Sequence, residues 1–282
     1  MVGVLGVSAS AILVRFSQAP SGVTAAYRLG WTVLLLLPVV LLRCRAELRR
    51  VTARDLVLCG ASGVLLALHF LTWFESLKRT SVASSTVLVS TEVIFTALGF
   101  ALFLHGKIPR LGVWAILLAF GGSALLAFSG GGGAGELSGN LLALAAASAA
   151  AVYTLIGRIQ RGHLSTTVYT FLTYLACFLT LLLGTAAAGT PLTGYGGREW
   201  LIGLALAVLC TLLGHSLFSW CLKYLSPSYV SAAKLCEPVF SSLAAIPLFG
   251  EVPGPLQLAG GAAVLGAVLL YTWAEREKTP AG

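Results

Sequence analysis

Charge is what this sequence has least of. Only 10% of its 282 residues are Asp, Glu, Lys or Arg, against about a quarter in an ordinary soluble domain. Fully 57% are apolar, and the mean hydropathy is +0.92. That leaves too little polar surface to cover a water-exposed globule, and a soluble domain is excluded. Other absences narrow the chemistry. The six cysteines stand singly, without a C-x-x-C or a Cys/His cluster, so neither a zinc site nor a disulfide framework is indicated, and no metal or cofactor is expected. No G-x-x-x-x-G-K-[ST] phosphate loop occurs, which argues against ATP-driven work within the chain. H-E-x-x-H, G-x-S-x-G and an acidic D-D-x-x-D run are also missing. A membrane-embedded enzyme would lack the clustered chemistry it needs.

What is there instead is apolar length. Ten segments bounded by charge, Gly or Pro can each be a membrane helix: about 2–17, 21–43, 55–77, 81–104, 110–128, 139–158, 165–188, 200–222, 226–249 and 255–274. The expected fold is an all-α integral membrane protein with ten transmembrane helices. The first segment has no basic n-region and no clear small-residue cleavage site, so it is taken as a helix rather than a removed leader. Its roughly 16 residues leave room for a native start upstream. No soluble domain fits in the connections.

The net charge of +8 would suggest nucleic acid in a soluble protein; here it orients the chain, and no nucleic-acid partner is expected. With the N-terminus inside, cytoplasmic connections hold Arg43, Arg45, Arg49, Arg50, Arg54, Lys107, Arg110, Arg158, Arg161, Lys223, Arg276 and Lys278, and the outer ones only Lys78, Arg79 and Arg198. Arg15, Arg28 and Lys234 fall within segments. This bias predicts a multi-pass protein of the cell (plasma or inner) membrane with both termini cytoplasmic.

The ninth segment, Ser226 to Phe249, carries Lys234, Glu237 and Pro238 near its middle. A charge at that depth costs about 2.5–3.5 kcal/mol or more and faces a bundle interior or a pathway. Pro238 has no N–H for the Lys234 carbonyl, which predicts a kink there. A shift of 145 residues aligns this stretch with the fourth segment: Leu77 meets Leu222, Lys78 meets Lys223, Ser81 meets Ser226, Glu92 meets Glu237 and Phe95 meets Phe240. In the first segment the shift is nearer 143, placing Arg15 on Arg158. The chain therefore divides into repeats at 1–128 and 139–274, joined by a glycine-rich linker at 129–138 and followed by a cytoplasmic tail at 275–282. Five helices is an odd number, so the halves insert with opposite orientation, as two inverted five-helix repeats. In secondary transporters so built, the substrate site lies near the midplane where the repeats meet.

On APSGVTAAYRL, TSVASSTVLVSTEVIF, YLSPSYVSAAKLCEPVFSSLAAIPLFGEVPGPLQLAGGAAVLGAVLL and the five-plus-five arrangement, the chain resembles the EamA type of the drug/metabolite transporter superfamily over its whole length. The resemblance implies ten helices, cytoplasmic termini, and export or exchange of small organic solutes such as amino acids, nucleotide-like metabolites or drugs. It also implies dimer contacts through the last helix of each half. There Gly121-Gly122, Gly260-Gly261 and Gly266 allow close approach; packing within the chain is the preferred role, a homodimer face the alternative. Two positions depart from the pattern. His105-Gly106-Lys107 stands where the first half usually has Gly-Glu, and Val93 where proline is common. The fourth segment is therefore expected to be straighter than the ninth.

The candidate substrate-binding residues are Glu92, Lys234, Glu237, His69, Trp73, His215, Arg28 and Tyr27, with Pro238 as a helix kink. Glu92 and Glu237 can bind substrate or exchange a proton during a cycle; the alternative is a hydrogen-bonded pin between helices. Lys234 can bind a carboxylate or phosphate, or only neutralise Glu237. His69 and Trp73 share a helix face, and His215 lies one residue out of register with His69. Histidine can relay protons near neutral pH, although a satisfied structural histidine is the commoner case. Arg28, behind Tyr27, is expected at the outer mouth, attracting anions rather than snorkelling to headgroups. Arg15 is expected as an interface anchor, and Trp200, Trp273 and Tyr271 in interfacial belts. Together these features favour a secondary transporter of a small-molecule solute, embedded in the lipid bilayer, working by alternating access and open to proton coupling. The alternatives are a membrane-embedded enzyme and a passive facilitator; the few dispersed polar residues suit one occluded site better than a continuous channel lining.

Overall fold

A computed structural model describes residues 2–103, 108–128, 134–221 and 236–276. Lys234 and the backbone preceding Cys236 lie outside these. The helices are α1 (Val2–Phe16), α2 (Ser21–Arg43), α3 (Arg45–Leu48), α4 (Ala53–Arg79), α5 (Val82–Val89), α6 (Glu92–Phe103), α7 (Arg110–Phe128), α8 (Ala134–Gln160), α9 (Thr166–Ala187), α10 (Gly197–Ala205), a π-helical turn sequence π1 (Leu206–His215), α11 (Ser216–Cys221), α12 (Cys236–Phe249) and α13 (Pro255–Arg276). No strand occurs among the described residues. Seven helices or helix runs are long and apolar enough to cross a membrane, and three shorter apolar ones lie at Gly6–Phe16, Arg110–Leu126 and Glu237–Phe249. Leu42, Val57, Trp114, Leu183 and Leu201 point outward from the bundle. Apolar exposure on this scale suits lipid rather than water. The protein is a multi-pass membrane protein.

Local chemistry sets where the helices start and stop. Thr52 and Asp55 form a reciprocal capping box at the start of α4. Ser81 caps α5 by accepting from the Ser84 N–H at 3.1 Å, and Ser165 caps α9. Gly250 ends α12 with φ of +69°, a left-handed conformation that favours glycine. One end of the bundle gathers the α1–α2, α4–α5, α9–α10 and α12–α13 connections and is called the Glu199 end below. The opposite end, with the α2–α4 and α8–α9 connections, is the Asp55 end.

Two helices are interrupted. The fourth segment, expected to be the straighter one, breaks at Ser90–Thr91 between α5 and α6. Hydroxyls are the cause rather than proline: Ser90 Oγ donates to the Thr86 carbonyl at 2.9 Å and Thr91 Oγ1 to the Leu88 carbonyl at 2.6 Å. Such back-bonding competes with the helix ladder. The eighth segment widens into π1, where Thr211 Oγ1 donates to the carbonyl of Leu206, five residues back, at 3.2 Å. In the ninth segment, Pro238 sits in the first turn of α12, and the bend expected before it falls outside the described residues.

The core is continuous between α1, α2, α4, α9 and π1, built on Leu29, Phe70, Phe74 and Tyr174. At Gly63 on α4 a Cβ would come within 2.6 Å of the Thr173 carbonyl oxygen of α9. Glycine is required there by close approach. α7 and α13 form a second pair, with Gly122 and Gly260 facing each other: a Cβ on either would stand 2.9 Å from the other's carbonyl oxygen. Gly121 and Gly266 face open space. Tyr271, expected in an interfacial belt, is instead buried against Ala115, Ile116 and Ala119 of α7.

Candidate functional site

A small cavity of about 40 Å³ lies at mid-depth in the bundle. Its wall combines Val7 and Ser10 of α1, His69 and Trp73 of α4, Val89 of α5, Glu92 of α6, His215 of π1, Phe218 of α11 and Glu237 of α12. Five of the residues singled out in the sequence, Glu92, Glu237, His69, Trp73 and His215, thus meet around one space. Glu92 is carried there by the helix break. It opens α6, whose first N–H groups, of Val93, Ile94 and Phe95, bond the Ser90 and Thr91 carbonyls, and its Oε1 accepts from Thr154 Oγ1 of α8 at 2.8 Å. Glu237 is the second described residue of α12.

His69 is oriented from behind. Its Nδ1 lies 3.0 Å from the Ala146 carbonyl. A carbonyl only accepts, so this bond places the proton on Nδ1. The ring stacks on Trp73 with centroids 5.8 Å apart, and Trp73 Nε1 is buried without a hydrogen-bond partner. His215, one residue out of register in the sequence, reaches the cavity because the π-helical turns absorb the extra residue. A π-helical insertion at a functional site is a recurrent device.

Arg28 is not at a mouth. It is 0% exposed, behind the cavity wall. Nε donates to Thr211 Oγ1 of π1 at 2.8 Å and Nη1 to Ser10 Oγ at 3.0 Å. The guanidinium lies 4.3 Å from the centroid of Phe70, and Nη2 has no hydrogen-bond partner among the described residues. No local pattern around Arg28 signals this burial, since the partners come from three other helices. Tyr27 is not brought to the cavity. Its ring stacks on Trp200 at 4.1 Å, and its hydroxyl donates to the Leu192 carbonyl, both near the Glu199 end. Arg15, expected as an interface anchor, instead pairs with Glu251 at 2.6 Å and donates to the carbonyls of Leu77 and Thr80. Among the described residues, no group of three or more His, Cys, Asp and Glu is arranged to hold a metal.

A family model for the EamA-like transporter family matches residues 1–128 and 137–273. The chain belongs to the EamA-like transporter family. The EamA relatives include the pseudopaline exporter CntI of Pseudomonas aeruginosa (strain UCBPP-PA14), 24% identical over 73% of this chain and 72% of its own. A protein of Streptantibioticus cattleyicolor named "Probable terminal-alkyne amino-acid exporter" is 28% identical over 79% of this chain and 75% of its own. The uncharacterized transporter YwfM of Bacillus subtilis (strain 168) is 29% identical over 78% and 74%. A solved structure, 20% identical, superposes on 99% of this chain and 96% of its own with a TM-score of 0.66, which shows a shared fold. The EamA protein is a transporter of small solutes, not an enzyme.

Proposed function

We propose that this protein exports a small solute bearing both an ammonium and a carboxylate group, as an amino acid does, by alternating access around the cavity of Glu92 and Glu237. The observation that carries it is the meeting of these two acids, related by the 145-residue shift, on one cavity at mid-depth. They offer two anionic partners for an ammonium group. Arg28, with Nη2 unpaired behind Ser10, offers a cation for the carboxylate, and Trp73 an aromatic face. Two relatives are named exporters, of pseudopaline and of an amino acid. At about 40 Å³ the cavity is far below the roughly 300–1,000 Å³ of a ligand pocket, so loading requires helices to part.

The ten-helix, inverted-repeat arrangement has support in the packing. If helices one to five exchange with six to ten, the partners exchange in pairs. The α4–α8 contact answers α1–π1, α4–α9 answers the contact of α2 with α10 and π1, and α6–α8 answers α1–α12. The contacts α2–α9, α5–α12 and α7–α13 map onto themselves. A pseudo-two-fold of this kind is what rocking between two half-bundles needs. The charge count puts the Asp55 end in the cytoplasm of the cell that bears the protein, with both termini there. A reporter fused after Lys278 is expected to read cytoplasmic, and a signal from the far side would reverse the assigned orientation.

The substrate class is tested by thermal unfolding of purified protein against neutral amino acids, organic anions and organic cations. A ligand at about 100 times its Kd adds roughly 2.7 kcal/mol, and at about 2–4 °C per kcal/mol for a chain of this size that is a shift of roughly 5–11 °C. Zwitterions are expected to give that shift. Stabilisation by cations alone would overturn the role given to Arg28. Flux in proteoliposomes with and without an imposed pH gradient then reads proton coupling through the cavity acids and histidines.

A further inference from the structure

We infer that Asp55 and Glu199 are the acidic halves of two latches, one at each end of the bundle, that seal the cavity in turn; this rests on the alternating-access reading above. Each acid is the third residue of its helix, α4 and α10. Each is buried, 5% exposed for Asp55 and 4% for Glu199. Each grips the end of a helix from the other half of the chain. Glu199 Oε2 accepts from Ser17 Oγ at 2.6 Å and Oε1 from the Gln18 N–H at 3.1 Å, just beyond α1. Asp55 Oδ1 accepts from Gln160 Nε2 at 3.2 Å, at the end of α8, and lies 2.6 Å from His163 Nε2.

The two sites are the same device used twice. A shift of 144 residues carries Asp55 onto Glu199, and a shift of 143 carries Ser17 onto Gln160, the shift that places Arg15 on Arg158. Both latches also act on cavity walls. α1, held by Glu199, carries Val7 and Ser10; α4, which carries Asp55, also carries His69 and Trp73. Carboxylate hydrogen bonds of this kind are stronger than neutral ones yet reversible, and their loss lets one end part while the other stays shut.

The ends are unequal. At the Glu199 end Arg15 and Glu251 add an ion pair at 2.6 Å, and Glu251 Oε2 also accepts from the Val82 N–H at 2.7 Å. This ties α1 to the start of α5 just beyond the end of α12. The 145-residue shift from Glu251 lands on Gly106, between His105 and Lys107; at the Asp55 end the second carboxylate tie is instead Glu47, whose Oε1 accepts from the Ser165 N–H at 2.6 Å, a bond to backbone rather than an ion pair.

The test uses Val7→Cys as a reporter in the full chain with native cysteines replaced, and an impermeant maleimide applied to right-side-out and inverted vesicles. The parent protein should label faster from one side than from the other. Glu199→Gln should raise labelling from the Glu199 side about tenfold, and Asp55→Asn should raise it from the Asp55 side by a similar factor. Ser17→Ala and Gln160→Ala, which leave both carboxylates in place, should move labelling in the same directions by smaller factors and serve if the acid variants fail to fold. Neither pair changing labelling, or both raising it from one side, overturns the latches while sided labelling of the parent keeps alternating access intact. Labelling of the parent without any sidedness removes alternating access, and the latches with it.

Discussion

Glu237→Gln is expected to leave the protein folded and to cut solute flux in proteoliposomes at least about tenfold. Glutamine keeps the size and one acceptor of glutamate but not its charge. The partner lost is an ammonium group of the solute or a transferred proton, and a hydrogen bond to a charged group is worth about 1.5–3 kcal/mol. That corresponds to about ten- to more than a hundredfold in affinity. Glu237 is half-buried on the cavity wall, and its own helix holds it through backbone bonds. Ser241 Oγ donates to the Glu237 carbonyl at 2.7 Å, a bond the glutamine keeps. Wild-type flux in the variant, with an unchanged melting profile, would reduce Glu237 to a structural pin. Glu92→Gln is the informative companion: its Oε1 already accepts from Thr154, and an amide oxygen can keep that bond.

Much of this site was legible before any coordinates. The pairing of Glu92 with Glu237 came from the 145-residue shift, and His69 with Trp73 from helical spacing alone. Both predict shared faces, and both sets line the cavity. His215 carried a readable signal in being one residue out of register. Nothing in Leu206–His215 announces a π-helix, however, because that geometry is imposed by Thr211 bonding five residues back and by Arg28 bonding Thr211. The break before Glu92 has no proline to mark it; Ser90 and Thr91 supply it by bonding to the preceding turn. Asp55 and Glu199 carry no local mark in the sequence, because acids near helix ends are commonly solvated; their burial depends on helix ends about 105 and 182 residues away. Local pattern shows which residues share a face. It does not show which long-range partner removes a charge from water.

Arg28→Met is expected to unfold at the same temperature as the parent or higher, while solute flux falls at least about tenfold. The two halves of this outcome have separate causes. A guanidinium taken wholly out of water carries a desolvation cost of several kcal/mol. Among the described residues its hydrogen-bond partners are two neutral hydroxyls, Thr211 Oγ1 and Ser10 Oγ, with the Phe70 ring beneath it. A buried ionic group replaced by an apolar one of similar volume is often neutral or stabilising by about 1–4 kcal/mol. Methionine fills the same channel between α1, α2, α4 and π1 and can pack its sulfur on Phe70. Thr211 Oγ1 keeps its bond to the Leu206 carbonyl, so π1 survives. What the variant loses is the cation behind Ser10 and the unpaired Nη2, the groups assigned to a solute carboxylate. A protein that tolerates this cost at its centre is retaining the charge for something other than stability. Should Arg28→Met lower the melting temperature and leave flux of the folded fraction unchanged, Arg28 is a structural clamp on π1, and the carboxylate must be bound elsewhere in the cavity.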